Sequence, residues 1–177
     1  MPLVKDLLVE ELRDLLHAEN QLVAALPKMI DAANHPKLKE AFEKHLAQTT
    51  TQVERLKETF ALLGEEPHPR PCRAMKGLIE EGQEVMEEGK EMEEIGADLA
   101  LIGAAQKVEH YEISGYGTAK ALARQIGAVD VAALLSQTLG EEESADYLLT
   151  TIAKPLLQQA SLEEMNTQAR VAVQGKR

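Results

Sequence analysis

Leucines and their equivalents recur at helical spacing over segments far longer than an ordinary globular helix. Leu8, Leu12, Leu15, Leu22, Leu26 and Met29 step by four and three, and one place in the series is taken by Glu19 instead. Such a stripe, near 30 residues long, must bury one face along the full length of partner helices of similar size. Breakers then divide the rest. Asn34-His35-Pro36 is a tight link, Gly64 ends a second helix, and Gly127 ends a later one. The spacing predicts helices over about 4–33, 37–63, 94–126 and 130–157, with a connecting helix over 74–88 after the Pro-rich stretch EEPHPRPCR. Pro27 is expected to bend the first helix and Pro155 to kink or end the last, leaving a short helix N-capped by Ser161 and a frayed end, VAVQGKR.

Composition agrees with an all-α chain. Ala, Leu, Glu, Lys and Gln dominate, aromatic residues make up 3%, and strand-like alternation is missing. Two helical hairpins joined by one long crossover describe a ferritin-like four-helix bundle better than a simple up-down-up-down one. The organisation expected is one bundle domain over 1–160, a crossover over about 65–93 with its extra helix, and a tail over 161–177.

Several function classes are disfavoured. The formal charge of −11 repels phosphate, so neither nucleic acid nor an anionic membrane is the expected partner. The longest apolar run is LALIGAA, from Leu99 to Ala105, far short of the ~18 residues a membrane helix needs. The opening MPLVKDLLVEEL lacks the blocks of a secretion signal, and Cys72 is the single cysteine, so a reducing cytoplasm is the expected location. P-loop, Rossmann, G-x-S-x-G and CxxC patterns are all missing.

The informative residues are acids in core phase. Glu19, Glu109, Glu112 and Glu142 all fall on the apolar stripes of three helices. Burying an unpaired carboxylate costs several kcal/mol or shifts its pKa. Counted from the links, Glu19 and Glu54 lie at similar heights in the first hairpin, and Glu109, Glu112 and Glu142 do so in the second. Asp146 sits one turn beyond Glu142. Carboxylates meeting halfway along a bundle cannot all be ionised there. Either several carry protons, or cations neutralise them. Two divalent metals bridged by glutamates solve the charge problem, and hard oxygen donors favour iron or manganese. The competing reading is a non-catalytic dimeric scaffold with a vestigial polar core.

Other residues receive lesser expectations. His110, beside Glu109, is read as a structural hydrogen-bonding residue or a metal ligand. His45 is read as a packing or seam residue and His17 as outward-facing. Tyr116 is read as a core filler whose hydroxyl needs a partner, with a hydrogen bond to a ligand glutamate as the sharper role. Cys72, flanked by Arg70 and Arg73, is a thiol whose pKa those charges would lower.

The segments HAENQL (17–22), QVERL (52–56), AAQKVEHYEISGYGT (104–118) and TLGEEESADYLL (138–149) resemble the bacterial YciF/YciE-type stress-protein family. The resemblance covers about residues 3–158 and implies a ferritin-like domain, a homodimer, a di-metal centre and a link to stress responses. It matches Glu19 to the lone glutamate of the first helix, Glu54 to that of the second, Glu109 and Glu112 to a Glu-x-x-Glu pair, and Glu142 to the glutamate of the fourth. Ferritin-like di-iron enzymes place His three residues after the second- and fourth-helix glutamates. Lys57 and Ala145 stand there instead, with Asp146 as a substitute ligand. Whether the chain catalyses a reaction is left open; if it does, an oxidoreductase is implied.

Overall fold

A computed structural model describes residues 3–174. Five helices follow one another: α1 (Leu3–Ala32), α2 (Pro36–Leu63), α3 (Arg73–Gly89), α4 (Glu94–Gln125) and α5 (Val129–Gln174). The links obey local chemistry. Pro36 sits in the first turn of α2, where no N–H is needed, and the His35 side chain accepts a hydrogen bond from the Lys37 amide. Gly64 (φ 70°) and Gly127 (φ 73°) take the left-handed conformation that ends α2 and α4. The Cys72 sulfur caps α3 by accepting from the Met75 amide.

Helix α1 packs on α2 and α4, and α5 packs on α4 and α2, which closes a four-membered ring. Residues 65–72 and α3 return the chain along the outside, with α3 lying against α4 and α1. This is the two-hairpin, long-crossover plan of a ferritin-like bundle. Asp98 of α4 bolts the α1–α2 link in place: its two oxygens accept from the Asn34 and His35 amides, both at 2.8 Å.

The apolar core is in two parts. One holds Leu8, Leu12, Leu56, Phe60, Ala123 and Leu135. The other holds Leu26, Leu38, Phe42, Ile102, Leu149 and Ile152. The buried acids fall between them along each helix, so a polar layer interrupts the core at mid-height.

Pro27 lies inside α1, as expected, and one expectation about proline is corrected: α5 does not end at Pro155 but continues through it to Gln174. Each proline removes one i→i−4 bond, a cost the flanking turns absorb. Ser161 is therefore an interior helical residue and caps nothing. Of the end expected to fray, VAVQGKR, residues 171–174 belong to α5, and residues 175–177 lie outside the described residues. Among the described residues, no helix is long and apolar enough to cross a membrane.

Candidate metal centre

Helical phase carries four glutamates inward. Glu19 on α1, Glu109 and Glu112 on α4, and Glu142 on α5 are all buried, three of them with no exposed surface. His45 of α2 joins them. One ligand atom from each of His45, Glu109, Glu112 and Glu142 lies within 4.8 Å of the others. His45 Nε2 is 3.4 Å from Glu109 Oε1 and 3.8 Å from Glu142 Oε2.

Charge is costly in this layer. Burial, reinforced by the neighbouring carboxylates, pushes Glu19, Glu109 and Glu112 well above the usual carboxyl range. Burial also raises Glu142, to about 7, and lowers His45 to about 4. The imidazole is thus neutral near pH 7, the state in which it can donate a lone pair to a metal. Glu109 and Glu142 also share a hydrogen bond.

The partners of these groups reveal which atoms are spoken for. Tyr116, fully buried, donates its hydroxyl to Glu19 Oε1. The hydroxyl thus has the partner that its burial was expected to require. Gln52 Nε2 donates to Glu142 Oε1 and, at 3.1 Å, to Glu141 Oε2. Arg55, buried beside it, grips Glu141 with both terminal nitrogens (2.8 and 3.0 Å) and donates to Thr138 at 2.6 Å. Burial pushes Glu141 up, but the Arg55 and Gln52 bonds outweigh it and hold the carboxyl below its ordinary value. By contrast, both ring nitrogens of His45, both oxygens of Glu112, and one oxygen each of Glu19, Glu109 and Glu142 have no hydrogen-bond partner among the described residues.

Orphaned buried donors and acceptors are expensive, and natural interiors hold few of them. Here they come from four helices, and those of His45, Glu109, Glu112 and Glu142 converge on one point. One nitrogen and three carboxylates form a donor set suited to iron, manganese or zinc, and a divalent cation would satisfy these atoms together. The residues therefore fit a metal ion. A cavity of about 40 Å³ lies against His45 and Glu109, between α2 and α5, where the small Ala145 leaves room. That is space for water or a diatomic molecule beside the cluster.

Two expected site residues stand apart. Glu54 is exposed on the outer face of α2, paired at 2.7 Å with Lys57. It follows Val53 by a 100° step, which turns it away from the core. Asp146 lies at the margin: it accepts from Gln106 at 2.8 Å and faces the exposed His110 at 3.5 Å. Its charge adds to the pressure on Glu109, but it does not join the four-residue group. His110 is accordingly a peripheral partner of Asp146.

Sequence reasoning missed His45, Gln52 and Arg55. A signal was present: 42, 45, 49, 52, 56 and 59 step by three and four, and all are buried. Polar residues at 45, 49, 52 and 59 hid it among the apolar ones. His17 turns away from the bundle core, half-buried under the crossover, where it accepts from the Cys72 amide at 3.1 Å. Cys72 is buried, with its sulfur 3.0 Å from the Tyr111 hydroxyl, and burial raises its pKa. The flanking arginines do not lower it.

Comparison with known proteins agrees with this architecture. Residues 4–162 match a family model described as a domain of unknown function, DUF892. Protein YciF of Escherichia coli (strain K12) is 44% identical over 154 residues, covering 86% of this chain and 92% of YciF. The crystal structure of that bacterium's stress protein YciF superposes with a TM-score of 0.84 at 41% identity, covering 89% of this chain and 99% of that one. A ferritin-like, diiron-carboxylate protein from Bacillus anthracis str. Ames, 16% identical, matches with a TM-score of 0.65 over 87% of this chain and 100% of its own, a likeness of fold. A ferritin-like bundle whose helices, length and sequence align nearly end to end with YciF places the chain in the DUF892 family.

Proposed function

We propose that this chain is a metal-binding protein of bacterial stress response whose mid-bundle centre holds divalent iron or manganese. One observation carries the reading. His45, Glu109, Glu112 and Glu142 bring ligand atoms within 4.8 Å of one another, and most of those atoms lack any other partner among the described residues. The likeness to the E. coli stress protein YciF supports the physiological setting, and the diiron-carboxylate relative supports the kind of centre. A bound iron or manganese would supply redox chemistry toward peroxide or oxygen. The chain's own part is to hold His45 neutral, to bury the carboxylates, and to leave a small cavity beside Ala145. The expected di-metal form would call on Glu19 as well as the acids of that cluster. A homodimer in the cytoplasm is part of the same proposal. Exposed Leu157, Leu162 and Met165 along α5 support the pairing, and light scattering tests it.

A second reading has its own observation. The Glu109–Glu142 hydrogen bond and the Gln52 amide would serve a proton-neutralised polar core in a structural protein. Thermal unfolding with Mn(II) or anaerobic Fe(II) separates the two. Under the metal reading the ion raises the Tm, by ~2.7 kcal/mol of stability at 100 times Kd, and Glu109→Ala abolishes the rise. No rise in the unaltered protein, with elemental analysis blank after purification without chelator, refutes it.

A further inference from the structure

The helical bundles that hold two metals use a glutamate from each of two helices and a Glu-x-x-His pair from each of the other two. In this chain α2 meets the carboxylate layer with Gln52 and, three residues on, Arg55. These are the positions from which a second ion would be held against Glu19. We infer that the centre takes one divalent cation per chain, at the His45–Glu109–Glu112–Glu142 end, because Gln52 and Arg55 stand where the second ion's ligands would have to be.

Three features of the geometry lead there. Gln52 has no exposed surface and turns its NH₂ toward Glu142 and Glu141. Two carboxylate acceptors on one nitrogen fix that orientation, so the amide turns its NH₂ to the acids, and its buried, unpartnered Oε1 offers a second ion one neutral oxygen where a glutamate would bring a charged carboxylate. Arg55 brings a permanent positive charge into the same region, held by two bonds to Glu141 and one to Thr138. Guanidinium has no lone pair to give a metal and does not lose its proton, so it repels a second cation where a histidine would bind one. Finally, Glu19 keeps one oxygen on Tyr116, which leaves a second ion a single free terminal oxygen and only shared oxygens besides. The first ion has no such shortage, because His45 enters from two turns up α2 and supplies the nitrogen that Ala145 does not.

This inference rests on the metal reading above, and one titration distinguishes their failures. The full chain, stripped with chelator and returned to Mn(II) in excess, is assayed by native mass spectrometry and by electron paramagnetic resonance. One ion per chain, with the six-line spectrum of an isolated Mn(II), is expected. Two ions per chain, with an exchange-coupled spectrum, overturns the inference and keeps the metal reading. No bound ion overturns both. The double variant Q52E/R55H restores the Glu-x-x-His pair and is expected to bind two. If it keeps the helical circular dichroism of the unaltered protein and still binds one, the role given to Gln52 and Arg55 is wrong. If it does not fold, the stoichiometry of the unaltered chain still decides the inference.

Discussion

Replacing Glu142 by glutamine should stabilise the metal-free protein and weaken the metal-bound one. The side chains have the same shape. An amide at 142 keeps an oxygen that can accept from Gln52. What changes is charge. Burial raises the Glu142 carboxyl from 4.5 to about 7. Between those values the native state binds more protons than the unfolded chain, so stability falls as pH rises. The loss is absent below pH 4.5 and complete above pH 7. At 1.36 kcal/mol per pH unit it amounts to about 3 kcal/mol. His45, lowered from 6.5 to about 4, works in the opposite direction, gaining stability as pH rises from 4 to 6.5. Both proteins carry His45, so its titration drops out of the comparison, and relief of Glu19, Glu109 and Glu112 from the Glu142 charge adds to the gain in the same direction. Urea denaturation in EDTA should therefore show the variant ~3 kcal/mol more stable at pH 8 and less than ~1 kcal/mol more stable at pH 5. For a chain of this size the pH 8 gap is a Tm rise on the order of 6–12 °C. Saturating Mn(II), at ~1000 times Kd, should add ~4 kcal/mol to the unaltered protein and little to the variant, reversing their order. A variant equal to or weaker than the unaltered protein in EDTA at pH 8 would refute the claim that this carboxylate is held in the fold at a cost.

Other substitutions probe the surroundings. Glu54→Ala should leave Mn(II) affinity unchanged by calorimetry and stability within ~0.5 kcal/mol, because its partner Lys57 is a surface residue; a tenfold loss of affinity would contradict its placement. Asp98→Ala removes the acceptor of two backbone amides and should cost ~1–3 kcal/mol in urea while metal stoichiometry stays the same. Gly115→Ala would set a methyl group 2.8 Å from Leu15 Cδ2, between α1 and α4. Leu15 is packed tight, so overpacking should outweigh the ~1 kcal/mol helix-propensity gain, and thermal melts should show a lower Tm.

Much of this protein is legible in the chain. Stripes at 3.6-residue period, two glycines at helix ends and a proline-rich crossover determine five helices and their order, because each is a local property of backbone and hydropathy. The same periodicity finds Glu19, Glu109, Glu112 and Glu142, since a charged residue on an apolar stripe stands out against its neighbours. Helix α2 behaves differently. Its inward face mixes apolar with polar residues, Phe42, His45, Thr49, Gln52, Leu56 and Thr59, so its phase is blurred, and height along the hairpin alone selects Glu54, which points outward. Only packing against α5 decides that His45 and Gln52 face inward, because Glu142 and Glu141 give those polar side chains acceptors that solvent would otherwise provide. The persistence of α5 through Pro155 is likewise a matter of context. A proline forfeits one hydrogen bond wherever it stands, and whether the helix survives depends on the turns on either side.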